Sequence, residues 1–413
     1  MKRGGGRWMS CDRPRIGRAH GAAVGLVAWM LAACVGGPDA PRTRPEALAP
    51  QAEGLASQSA MAAAGQIGSG SVKVALIVPL TGQGASVGAA LRNAAELAFE
   101  DFQKPDLSII VKDDRGTPDG AREAAQVALA DGAELVLGPL FAANVAAVGA
   151  PVRNAGKPVI AFSTDAAVAA RGVYLISFLP QSEVDRVVEE VTAGGRRSFA
   201  ALIPETGYGN AVEAQFREAV ARKGGRVVGL ERYAPADPGA AIERLKGVIA
   251  GPGAQADALF LPGAVDGLVN LSTALTKAGF SPSRVRPVGT ALWNDPRVLG
   301  LPAFQGGAFA APDPAGFASF SQRYQSRFGT VPPRVASLGY DAVSLTAALA
   351  RQYGSQRFAD ATLTTPSGFT GIDGTFRFRP EGTSDRALAV YEIRNGAAAI
   401  VSPAPRSLGP SGI

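Results

Sequence analysis

Asp113 and Asp114 stand side by side and are followed by Arg115, so two carboxylates and a guanidinium occupy consecutive positions. Neighbouring acids can divide general-acid and general-base roles when their environments push their pKa values apart. At the end of a strand the same trio more commonly serves structure, with the acids capping the next helix and pairing with the arginine, and that is the reading preferred here. His20 is the only histidine, and Cys11 and Cys34 are the only cysteines. All three lie before residue 35. Beyond that point Ser-His-Asp and Cys-His catalysis, zinc sites built on those ligands and disulfides have no residues to use. Carboxylate, lysine or Ser-Lys chemistry is all that remains, and the chain is expected to be no enzyme and to need no metal or cofactor. Gly82-Gln83-Gly84 lacks the third glycine of a dinucleotide fingerprint.

The elements that would position any site begin after a leader. Lys2, Arg3, Arg7, Arg13, Arg15 and Arg18 precede a nearly uncharged run over 21–33, the basic and apolar regions of an export signal. A spanning helix needs about 20 apolar residues, and this shorter run gives way to polar, proline-rich sequence. It ends Leu31-Ala32-Ala33-Cys34, which resembles a bacterial lipobox. Residues 1–33 are therefore expected to be cleaved, leaving Cys34 lipidated at the new N-terminus. Val35, rather than aspartate, favours the outer over the inner membrane. The formal charge of +6 is mostly leader: six cations and Asp12 give those residues +5, so about +1 is left for the rest. A nucleic-acid partner is not expected of so neutral a chain.

Residues 34–70 are rich in Ala, Pro, Gly, Ser and Gln and read as a disordered tether. From residue 72 onward β-branched apolar runs alternate with helical spacing, the pattern of βαβ units around a mostly parallel sheet. The runs are 72–78, 107–111, 134–137 and 158–162, then a second series at 199–204, 226–230, 258–261 and 287–289. Leu91, Ala94, Ala95, Ala98 and Phe102 fall at helical spacing between strands, and Phe317, Phe320, Tyr324 and Phe328 do so later and read as core. Stretches 375–379 and 388–393 alternate like antiparallel strands. Two strand series in a chain this long imply two Rossmann-like α/β lobes, each a parallel sheet flanked by helices.

Several segments in order resemble the type I periplasmic binding proteins of the leucine-binding group. They are 74–82 (Val-Ala-Leu-Ile-Val-Pro-Leu-Thr-Gly) with Gly88, 113–118, Gly138-Pro139-Leu140, Tyr208-Gly209, 260–263 and Gly339-Tyr340-Asp341-Ala342. The resemblance implies two lobes joined by a three-crossover hinge, a ligand caught between them and no reaction catalysed. The expected division is 71–182 plus 315–366 for the first lobe, 183–314 plus 367–400 for the second, and a disordered tail over 401–413. Ligands of open α/β sheets lie at the carboxyl ends of strands. Ser163, Thr164, Asp165, Tyr208, Trp293 and Asn294 are accordingly the expected cleft residues, with Trp293 as an aromatic platform.

The resemblance also implies positions that this chain has changed. Val87 stands where amino-acid-binding members carry an aromatic, and Ala142 and Ala143 stand in place of a serine. Asp165 replaces a threonine that contacts the ligand carboxylate, and Ala291 replaces the acid that pairs with its ammonium. An unpaired zwitterion group in a closed cleft costs about 1–3 kcal/mol or more. Segments 290–296, 309–314 and 334–342 are similar to a lipid-anchored branch of the superfamily, the penicillin-binding-protein activators. The first expectation is therefore a lipoprotein that contacts a penicillin-binding protein and supports peptidoglycan synthesis, its cleft open to a small molecule or a peptidoglycan fragment. The alternative is the substrate-binding lipoprotein of an ABC importer for amino acids or related solutes, partnered by its permease.

Overall fold

The computed structural model describes residues 65–103 and 105–408. The expected signal, the lipidated Cys34, most of the tether and the end of the tail lie outside these residues.

The first sheet has the order β1-β3-β2-β4-β5-β6, with β1 Gln66–Ile67, β2 Val72–Val78, β3 Leu107–Asp113, β4 Leu135–Leu137, β5 Val159–Ala161 and β6 Val173–Leu175. Its strands are parallel except β1. Val74 to Val78 are all buried because helices cover both faces, so the strand reads as an unbroken apolar run. Those helices are α1 Ala85–Asp101, α2 Pro118–Ala130 and α3 Ala142–Asn154.

The second sheet has the order β16-β15-β11-β10-β9-β7-β8. Its parallel strands are β7 Ser198–Pro204, β8 Arg226–Tyr233, β9 Ala258–Phe260, β10 Arg286–Gly289 and β11 Ala308–Ala311, and the hairpin β15 Ala389–Arg394 and β16 Ala397–Ser402 closes one edge. It packs with α4 Pro180–Ala193, α5 Gly207–Arg222, α6 Gly239–Ile249 and α7 Val265–Lys277. The chain then returns to the first lobe, where α8 Pro314–Phe328 and α9 Ala336–Gln352 lie against α1. Phe320 and Tyr324 are buried there among Ala90, Ala94 and Leu97, as their spacing predicts.

A third, small sheet comprises β12 Phe369–Gly371, β13 Gly374–Phe378 and β14 Ser384–Arg386. It corrects the expected division, which gave 367–400 to the second lobe: Phe376 and Phe378 are buried with Leu76, Tyr174 and Leu338 of the first. The alternation correctly announces one apolar face but does not say which lobe receives it. The chain thus crosses between lobes three times, near 177–179, 312–313 and 387–388, as the hinge expectation required. Two boundaries also move. Gln66 and Ile67, expected within the tether, pair with Ile110 and Ile109 along the edge of β3. Likewise β16 carries order past residue 400.

The acids 113 and 114 serve structure, though by a different route from the one expected. Asp113 accepts hydrogen bonds from the backbone of Leu80, Thr81 and Arg115 and from the Thr81 hydroxyl, tying the loop after β2 to the end of β3. Asp114 is buried and accepts from Asn144 and from the Gly116 amide. The cap of α2 is Thr117, and Arg115 pairs with Glu123.

Candidate functional site: a cleft between the lobes

A cleft of about 830 Å³ opens where strand ends of the two lobes face each other. Thr164 and Asp165 reach it from the end of β5, Tyr208 from the start of α5, Ala291 and Leu292 from the loop after β10, Phe178 from the first crossing and Pro312 from the second.

Each is held by local chemistry. Ser163 Oγ accepts from the Asp165 amide at 3.1 Å, and Asp165 Oδ1 accepts from the Ala167 amide at 3.0 Å, so this loop folds on itself before the helical turn Ala166–Val168. Thr206 caps α5 by accepting from the Gly209 amide. A Cβ on Gly209 would sit 1.9 Å from the Pro204 carbonyl oxygen, so glycine is required for the helix to start this close to β7. Tyr208 is thereby placed with its hydroxyl 2.8 Å from Thr290 Oγ1. Burial first, and the nearby Glu183 second, raise the Tyr208 pKa and keep the phenol protonated.

Glu183, in the first turn of α4, is the buried acid of the wall. Its Oε2 accepts from the Ala291 amide at 2.9 Å, and Oε1 makes no hydrogen bond among the described residues. Burial outweighs that single hydrogen bond and lifts its pKa to about 7. Arg334, just before α9, is the one cation among the lining residues. Its guanidinium lies 5.7 Å from the Phe178 ring and 4.8 Å from the Phe317 ring, and its Nη2 pairs with the buried Asp373. Ser337 Oγ donates to the other Asp373 oxygen at 2.6 Å. Behind Phe178 lies Arg386, buried between Phe178 at 5.0 Å and Phe376 at 5.3 Å. Phe178 is therefore flanked by two guanidinium groups.

Of the expected site residues, Thr164, Asp165 and Tyr208 line the cleft, and Ser163 is buried directly behind the loop. Trp293 and Asn294 do not line it. Trp293 is wholly buried in the second lobe, its indole N–H donating to the Leu261 carbonyl at 3.0 Å and its ring against Phe304. The ring turns inward because Gly289 and Gly307 leave room: a Cβ at Gly289 would lie 2.1 Å from the indole. Asn294 is exposed outside the cleft, and Leu292 occupies the wall in its place.

Sequence reasoning missed Glu183, Arg334 and Phe178. A signal for Glu183 existed, since it falls on the apolar stripe of α4 beside Val184, Val187 and Val191, where a charged residue is out of place. Arg334 and Phe178 sit in connecting segments, and only the folded chain brings them together. Among the described residues no group of His, Cys, Asp and Glu is arranged to hold a metal, and no helix is long and apolar enough to cross a membrane.

No curated protein matches this sequence. Solved structures do share the fold. A putative branched-chain amino acid ABC transporter protein from Rhodospirillum rubrum is 22% identical, with a TM-score of 0.69 over 80% of this chain and 99% of that one. A branched-chain amino acid ABC transporter periplasmic ligand-binding protein from Burkholderia xenovorans is 19% identical, with a TM-score of 0.64 over 82% and 96%. A solute-binding protein of an ABC transporter from R. palustris, in complex with benzoate, is 18% identical, with a TM-score of 0.56 over 83% and 99%. The profile of the family described as Periplasmic binding protein matches residues 71–398, from the start of β2 to the final hairpin. With a match that takes in both lobes and every crossing between them, the chain belongs to the periplasmic binding protein family.

Proposed function

We propose that this chain is a periplasmic solute receptor, tethered by lipid at Cys34, that captures a small organic molecule between its lobes and presents it to an ABC permease. The observation that carries the reading is the cleft itself, built at strand ends, lined by both lobes and by two of the hinge crossings. Its volume lies within the range of small-molecule sites, roughly 300–1,000 Å³.

Import of a solute is favoured over activation of a wall synthase, the opposite of the expectation from sequence. The changes at Val87, Ala142, Ala143, Asp165 and Ala291 count against a free leucine-like amino acid and not against other solutes, and the cleft still offers polar groups, among them Glu183, whose Oε2 lies 2.9 Å from the Ala291 amide. The similar solved proteins are described as a branched-chain amino acid ABC transporter and as such a transporter's periplasmic ligand-binding protein, which supports the same order. Activation of a wall synthase remains the second reading. It is favoured by the changed positions at Asp165 and Ala291, both in the cleft wall.

A thermal-shift screen of the purified protein against amino acids, organic acids and amides tests the first reading. A ligand at 100 times its Kd adds about 2.7 kcal/mol of stability. Saturable hits support the receptor, whereas silence across the panel together with stimulation of a penicillin-binding protein in vitro would establish the second reading instead.

A further inference from the structure

Resting on the receptor reading, we propose that Arg334 reads the carboxylate of the solute, and that the solute is a small organic acid with an apolar, ring-sized body. Three observations converge on this. First, Arg334 is the one cation among the lining residues, and only part of it is committed: Nη2 pairs with Asp373, while Nε and Nη1 make no hydrogen bond among the described residues. The rings of Phe178 and Phe317, 5.7 and 4.8 Å away, hold it in place. The N–H groups left over, which include the second hydrogen of Nη2, still allow a guanidinium edge to grip a carboxylate.

Second, the two acids of the wall offer little opposition to an anion. Asp165 is exposed and already accepts from the Ala167 amide. Glu183 is buried, is held neutral below its raised pKa of about 7, and in that form has an O–H to donate to a ligand oxygen. A ligand amine would instead require Glu183 to ionise in a desolvated site and would leave Arg334 facing a cation. The first turn of α5, at Gly207 and Tyr208, adds the positive end of a helix to the same wall.

Third, the rest of the wall is mostly apolar, with Phe178, Ala211, Leu292 and Pro312 among its members. It suits a hydrocarbon ring or short branched chain and provides little for a heavily hydroxylated solute.

Benzoate, benzamide and benzylamine share a ring and differ in the head group, so calorimetric titration of the purified full chain with the three separates the possibilities. Benzoate is expected to bind about 10- to 100-fold more tightly than benzamide, the range of a charge-assisted hydrogen bond, and benzylamine not measurably. Arg334→Gln should abolish the preference for benzoate. Because that change also deprives buried Asp373 of its partner, Arg334→Lys is the companion variant: it keeps a cation there but loses the fork, and should lose most of the preference. Benzylamine binding as tightly as benzoate, or an unchanged benzoate-to-benzamide ratio in Arg334→Lys, would overturn the assignment. If benzoate does not bind, the thermal-shift panel decides. Hits among other carboxylates that Arg334→Lys weakens uphold the assignment, and hits confined to amines or neutral solutes overturn it while leaving the receptor intact. No hit of any class removes the receptor reading as well.

Discussion

The backbone N–H of Ala291 donates to Glu183 Oε2 over 2.9 Å, joining the first turn of α4 to the loop after β10. One partner lies just past the first crossing and the other deep in the second lobe, so a carboxyl group becomes part of the cleft wall at a position whose own residue has no functional side chain.

Burial of that carboxyl makes stability depend on pH. Glu183 titrates at about 7 in the folded protein against 4.5 as a free side chain, and Asp341, buried in α9, at about 7 against 3.8. Between those limits the native state binds more protons than the unfolded chain, so stability is full below about pH 4 and is lost as the pH rises through 7. At about 1.4 kcal/mol per pH unit of separation, Glu183 contributes a total change on the order of 3 kcal/mol. Urea unfolding at pH 5 and pH 8 should show this fall in the wild type and a smaller one in Glu183→Gln. Equal falls in both proteins would show that Glu183 is not the group responsible.

Trp293 is expected to matter for stability and not for ligand capture. Trp293→Ala should cost about 3–5 kcal/mol in denaturant titrations followed by circular dichroism. Gly289→Ala should also be strongly destabilising, because its methyl would enter the indole. In the double variant the second penalty should largely disappear, since the ring that clashes is gone. Simple additivity would mean that the two residues do not share one space.

Tyr208 and Thr290 form a hydroxyl pair that a double-mutant cycle can measure. Tyr208→Phe should cost about 1 kcal/mol, and Thr290→Val about 1–3 kcal/mol because it strands the phenol in a buried place. Once Tyr208 is phenylalanine, Thr290→Val should cost much less. A coupling energy near zero would argue that water, and not Thr290, satisfies the phenol.

Arg386 is buried, its pKa is pushed down by burial, and its charge interacts with Asp341 and Asp373. Arg386→Leu should destabilise by about 3–5 kcal/mol, because buried acids lose their compensating cation. Adding Asp341→Asn should recover part of that loss. If the double variant is as unstable as the single one, packing between the Phe178 and Phe376 rings is the larger contribution.

The two main sheets were legible because strands covered on both faces are written as unbroken apolar runs, as in 72–78 and 199–204. Strands β6 and β11, Val-Tyr-Leu and Ala-Phe-Ala-Ala, were not. Cleft loops could be placed from strand ends, which brought Thr164, Asp165 and Tyr208 to the wall. The direction a side chain takes from such a loop could not. Trp293 points inward because of glycines at 289 and 307, and Phe178 meets Arg334 across more than 150 positions of sequence. Neither relationship has a local period or motif to betray it.

The path of the chain bears on how the protein is made. Residues 369–386 deliver Phe376 and Phe378 to the first lobe, and residues 389–402 complete the edge of the second sheet. Neither half is finished until the last few dozen residues have left the ribosome or the export channel. A chain stopped near residue 366 would leave two unfinished halves rather than one good one, so premature termination should yield material for proteolysis and no miniature binding protein.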